Sequence, residues 1–221
     1  IFYEEVSVDK NAKARNENAY YDEASLSAYI KENPDVFGWL EIPGTEINCP
    51  VLQSGISDSF YRTHDASGVE SSGGAVYIES ANLTSMCDFN TVIYGNAEIG
   101  PFTDLYEFTD PVFFEEHPRI YLYLEDNVLT YEIFAAYRRE NTNLLRSYDF
   151  TVPDGCRQFL KDLYDVREMG SNLREGWEGI GDCHFLITLT AQSSEETDTQ
   201  WVVAAVLTKD ESGTIQKIVW E

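Results

Sequence analysis

The stretch RIYLYLEDNVLTYEIFAAYRRE, residues 119–140, constrains the fold of this chain more than any other. Two runs rich in β-branched and aromatic residues meet at Asp126-Asn127. Leu129, Tyr131 and Ile133 alternate with polar neighbours in the second run. Alternation of period two places one face of a strand on a core and the other on solvent, so this segment predicts a long antiparallel hairpin. Similar short runs recur: GWLEI and INCPVLQ around the turn PGT, GGAVYIES, NTVIYG, CHFLITLT, QWVVAAVL and IQKIVWE. About eight strands separated by Gly, Asn and Pro signals favour a closed or nearly closed barrel.

Helical periodicity is confined to a few places. From Ser25, Leu26, Tyr29 and Ile30 share one face at i, i+3, i+4 spacing, and Pro34 stops the helix. PDGCRQFLKDLYDV puts Phe159, Leu160, Leu163 and Tyr164 on one face, with Pro153 and Asp154 at its start. PFTDLYEF suits a single helical turn. Residues 1–24 are mostly polar and charged, as expected of an exposed helix or arm. The expected division is an N-terminal helical arm over 1–32 and a barrel domain over 33–221.

Charge narrows the partners. Fifteen Lys and Arg face 39 Asp and Glu, a formal charge of −24. Such a surface repels nucleic acid and anionic headgroups and favours cationic partners or none. No apolar run is long enough to cross a bilayer. The chain begins with Ile1 rather than Met, which points to a removed N-terminal segment, so an anchor preceding it stays open. Cys49, Cys87, Cys156 and Cys183 have no metal-ligand spacing; free thiols are the simpler reading and one disulfide is the alternative.

The order of motifs resembles the class B sortases, the cysteine transpeptidases of Gram-positive cell surfaces. The resemblance runs from about Asn33 to Leu207. It is carried by NPDVFGWLEIPGTEINCPVLQ, FYRTHDASGVESSGGAVYIE, NTVIYGN, PFTDLYEFTDPVFFEEHPRIYLYL, and the helix before FLITLT. It implies a mostly β fold with helices: a sortase-like closed eight-stranded β-barrel with N-terminal helices and a long helix before the seventh strand. It also implies a location on the extracellular face of a Gram-positive cell membrane, and no cofactor.

The family works through a Cys thiolate that attacks a Thr carbonyl, a His that moves protons, and an Arg that binds the developing charge. The matching positions here hold other residues. Asn96 in YGN stands where the His is expected. Gln192 in TLTAQ stands at the Cys position, or Ala191 if the register shifts by one. Gln200 in QWVV stands at the Arg position. An amide does not titrate near neutral pH, and neither Ala191 nor Gln192 is a nucleophile. Loss of general acid–base work alone costs roughly 10²–10⁴ in rate. Glu195, Glu196 and Asp198 would further destabilise a thiolate or oxyanion.

The implied protein is an inactive pseudo-sortase that binds a sorting signal, a pilin or an active sortase in its groove. Candidate groove residues are Asn96, Thr190, Ala191, Gln192, Ser193 and Gln200. A second reading keeps chemistry through Ser193 or Ser194, or attributes the losses to deliberate inactivation. A third makes the chain a structural envelope module with a closed groove. Among the histidines, His64 and His117 read as surface or capping residues. His184 starts the strand that ends at Thr190, roughly 20 Å away at about 3.3 Å per residue, so no Ser–His couple is expected.

Four minor signals have plain readings. Asn82-Leu83-Thr84 matches a glycosylation acceptor by chance, and Gly73-Gly74 is a strand-entry turn. EEHP and EETD are acidic loops rather than metal sites. Arg138, Arg139 and Arg146 either balance charge on a loop or contact a carboxylate-bearing partner.

Overall fold

The computed structural model describes residues 23–167, 169–192 and 198–215. The predicted hairpin forms from β5 (Arg119–Leu124) and β6 (Asn127–Glu140), with Leu124 opposite Asn127. The turn is therefore Glu125-Asp126, one residue earlier than the sequence suggested. The other barrel strands are β1 (Val36–Glu41), β2 (Asn48–Gln53), β3 (Val76–Ile78), β4 (Asn90–Asn96), β8 (Leu186–Gln192) and β9 (Thr199–Asp210). They neighbour one another in the order β5-β1-β2-β3-β4-β8-β9-β6, and β6 returns to β5, so eight strands close a ring. The segment IQKIVWE, read as a strand, begins at Ile215 and lies outside the described residues from position 216 on.

One short strand escaped the sequence reading. β7 (Asn172–Leu173) pairs with Ala135 and Ala136 of β6. β5 covers that edge of β6 only as far as Glu132, and β7 takes part of the edge left beyond it. Two residues are too few to show a period, so only the pairing reveals them.

Every barrel strand sends side chains inward. Leu40, Val51, Val76, Ile93, Leu122, Tyr131, Leu189 and Val203 belong to one buried cluster. A 3-10 segment over 101–109 and α2 (Pro111–Glu116) add Phe102, Leu105, Phe108 and Phe114 to that cluster. The sequence suggested one helical turn here. Asp110 ends it by accepting from the amides of Val112 (2.8 Å) and Phe113 (3.0 Å), which starts α2 with Pro111 in its first turn.

Two helices cover the outside of the barrel. α1 (Glu23–Glu32) buries Leu26 against Val36, Leu52 and Tyr61, on the face expected. α4 (Pro153–Tyr164) precedes the seventh barrel strand, β8. It lays Cys156, Phe159, Leu160 and Leu163 over Val92, Tyr94, Val202, Ala204 and Val206. Between β6 and α4 comes the short α3 (Leu144–Ser147). The inward and outward alternation of β6 breaks near Phe134, where the register to β9 shifts. Phe134 and Ala135 consequently both join the outer cluster.

Candidate functional site

The site is built by three adjacent strand ends. β4 and β8 run parallel and in register, with Tyr94 opposite Thr190, Gly95 opposite Ala191 and Asn96 opposite Gln192. β9 runs antiparallel to β8, with Val202 opposite Thr190, Trp201 opposite Ala191 and Gln200 opposite Gln192. Asn96, Gln192 and Gln200, which come from distant parts of the chain, therefore share one row across the sheet.

Side-chain alternation separates the two faces. Ile93, Leu189, Ala191 and Val203 lie in the barrel core, while Val92, Tyr94 and Val202 lie in the outer cluster. Ala191 is wholly buried on the inner face. A reactive group at 191 would point into the packed core, so position 192 is the one in the row with Asn96 and Gln200. Ser193, Ser194, Glu195 and Glu196 lie outside the described residues, and Asp198 is exposed.

Asn96 uses its amide locally. Its Oδ1 accepts from the amides of Glu98 (2.7 Å) and Ile99 (3.1 Å), and its Nδ2 donates to the Ser72 carbonyl (3.4 Å). This is an Asx-type turn that shapes the loop after β4. Gln200 is 3% exposed, and its Nε2 donates to the carbonyls of Glu140 (3.3 Å) and Thr142 (3.0 Å). Among the described residues its Oε1 has no partner, and neither do the hydroxyls of Tyr94 and Thr190 on the same face.

Beside Asn96 opens a cavity of about 210 Å³, lined by Tyr61, Arg62, Ser72, Tyr77, Tyr94 and Asn96 among others. Tyr77 stacks on Tyr94, with ring centroids 5.4 Å apart. Burial pushes the Tyr77 phenol up to about 12 and the Tyr94 phenol higher still, so both remain neutral hydrogen-bonding groups at physiological pH. The loop into β3 is pinned at Gly74, whose φ is +61°; a Cβ there would lie 2.5 Å from the Tyr61 carbonyl oxygen. Gly73-Gly74 is thus the strand-entry turn that the sequence suggested.

The remaining candidates lie elsewhere. His64 bonds through Nδ1 to the Phe60 carbonyl (2.9 Å), and His117 to the Phe113 carbonyl (3.0 Å). His184 sits before Leu186, at the far end of β8, in a turn with Gly181. The four cysteines are free. Cys49 lies inside the barrel, where burial pushes its thiol up to about 12. Cys183 is exposed next to His184. Asn82 is buried, bonding Asp88, Asn90 and the Val92 amide, which makes it a structural residue. Among the described residues no group of three metal-ligating side chains converges.

The sequence reading overlooked Tyr77 and Tyr94, although Tyr94 precedes Asn96 by two and shares its strand face. It also grouped Arg138 and Arg139 with Arg146, as charges that balance a loop or meet a carboxylate-bearing partner. The first two lie in β6, and Arg139 is paired with Gln200. Only the β6–β9 pairing brings that guanidinium level with the row.

No family model matches the chain. The sortase B of Listeria monocytogenes is 38% identical over 148 residues, 65% of this chain. The match spans 59% of that relative's length, less than two thirds. The sortase B of Staphylococcus aureus is 27% identical over 182 residues, 81% of this chain and 72% of the relative. The solved Staphylococcus aureus sortase B–substrate complex superposes with a TM-score of 0.71 at 24% identity, covering 86% of this chain and 87% of that one. At that identity the structural likeness speaks for the fold.

Proposed function

Because this chain belongs to the class B sortase family, we propose that it is a member whose groove binds an extended peptide and does not carry out transpeptidation. The carrying observation is that Asn96, Gln192 and Gln200 share one row across the sheet; these are three amides at the positions where the family resemblance implies an imidazole, a thiol and a guanidinium. The Asn96 and Gln200 amides are already engaged with loop backbone, which leaves them little freedom to follow a reacting centre. No covalent acyl-enzyme forms without a nucleophile, and Asn96 moves no proton. The cavity beside Asn96 and the stacked Tyr77–Tyr94 pair keep a surface on which a peptide can lie.

The partners that fit this reading are a sorting signal, a pilin or an active sortase, met at the extracellular face of a Gram-positive membrane. The test is incubation of the protein with fluorogenic sorting peptides and an amine acceptor, alongside binding of the same peptides by anisotropy. Binding without turnover is the expected result. Cleavage that disappears in Gln192→Ala or Ser193→Ala would overturn the reading. A serine-reactive phosphonate labelling Ser193 or Ser194 would favour a hydrolase or acyl transferase in its place.

A further inference from the structure

On β6, Tyr137 belongs to the outer cluster with Tyr94 and Val202, and Arg139, two residues on, follows it on the same face. Arg139 is opposite Gln200, so the row extends from Asn96 across four strands and ends in a guanidinium. The two neighbours converge on one atom: Arg139 Nη1 and Gln200 Nε2 each donate to the Thr142 carbonyl at 3.0 Å. Arg139 Nη2 also donates to Thr142 Oγ1 at 3.1 Å.

Both sides of this contact have capacity left. A guanidinium carries five N–H donors, and Thr142 occupies part of them. Among the described residues no carboxylate pairs with Arg139. Glu79, whose charge is felt by Tyr94, has its Oε1 taken by Asn143 Nδ2 at 2.7 Å. Among the described residues, Gln200 Oε1, Tyr94 OH and Thr190 Oγ1 have no hydrogen-bond partner, in residues at least nine-tenths buried. A buried polar atom without a partner is costly, and three on one face point to a ligand that supplies partners. Arg139 also bears on that face, since its charge acts on Tyr94, Tyr137 and Tyr148.

We propose that Arg139 is the anion-binding residue of this groove and selects peptides that present a carboxylate, with Gln200 Oε1 accepting an N–H of the same ligand. This rests on the peptide-binding reading above. It adds that the guanidinium absent at position 200 is supplied by the next strand. The fork of Arg139 suits two-point recognition of a carboxylate, whether from a peptide C-terminus or from an Asp or Glu side chain.

The test uses the full chain, labelled, on arrays of random hexapeptides lacking other acids. One arm has a free C-terminal acid, one is amidated with a fixed Glu, and one is amidated with a fixed Gln. Retention about tenfold higher in a carboxylate arm than in the Gln arm is expected. Comparison of the first two arms shows which source of carboxylate is read. That ratio is to fall to about one in Arg139→Gln and to an intermediate value in Arg139→Lys, which keeps charge but loses the fork. Thermal melting checks that both variants are folded. Equal retention in all three arms, or an unchanged ratio in folded Arg139→Gln, overturns the role of Arg139 and leaves peptide binding standing. An absence of retention in every arm overturns both.

Discussion

Asn96 and Gln200 flank position 192 from its two neighbouring strands, and each commits its amide to loop backbone. Asn96 holds the amides of Glu98 and Ile99, and Gln200 holds the carbonyls of Glu140 and Thr142. The positions where the family resemblance implies a proton carrier and an anion binder thus serve here as braces for two loops.

The first consequence concerns the β6 turn. Gln200→Ala removes both donors to Glu140 and Thr142 and leaves a void in a residue 3% exposed. The variant should lose about 1–3 kcal/mol in urea unfolding, with the amides of residues 140–143 exchanging faster. Unchanged exchange there would mean that the turn is held by other contacts.

The loop after β4 separates geometry from charge. Asn96→Ala loses two accepted hydrogen bonds and should cost about 1–2 kcal/mol. Asn96→Asp retains a carboxylate oxygen for the same two amides and should remain within about 0.5 kcal/mol of the parent chain. Equal destabilisation of the two variants would contradict the bracing role.

Gly95 is tested by a single methyl group. Its Cβ would stand 2.5 Å from the Phe102 ring, which is wholly buried in the barrel. Gly95→Ala should therefore cost about 1–3 kcal/mol through overpacking. Gly95→Ala combined with Phe102→Leu should recover part of that loss, as a double-mutant cycle would show.

Thiol reactivity should sort by burial. The Cys49 thiol is pushed up to about 12 by burial, so at pH 8 roughly one molecule in 10⁴ carries the reactive thiolate. Cys183, which is exposed, should alkylate first in the native protein. Cys49 and Cys156 should alkylate only on unfolding, as read by mass spectrometry. Rapid native labelling of Cys49 would show that the barrel opens on the labelling timescale.

The alternation of Leu129, Tyr131 and Ile133, the strand-bounding glycines and the apolar stripe of α4 were legible in the chain, because strand and helix periods are local properties. The ordered motifs also gave the sortase likeness and, through it, positions 96, 192 and 200 as those where catalytic residues are expected, since those positions follow from neighbours in sequence. The N-cap at Asp110 was legible in principle, as an Asp before a helix-starting Pro.

Other features depended on which strands pair. Position 192 rather than 191 shares the outer face with Asn96, because β4, β8 and β9 are in register and Ala191 is packed inside. Arg139 falls near the end of the predicted hairpin in sequence, yet lies beside Gln200 only once β6 meets β9. The unpartnered oxygens of Gln200, Tyr94 and Thr190 likewise share one face only because β4, β8 and β9 pair in register. Periodicity assigns a residue to one face of its own strand, whereas its neighbours across that face are set by long-range pairing, which the folded chain alone decides.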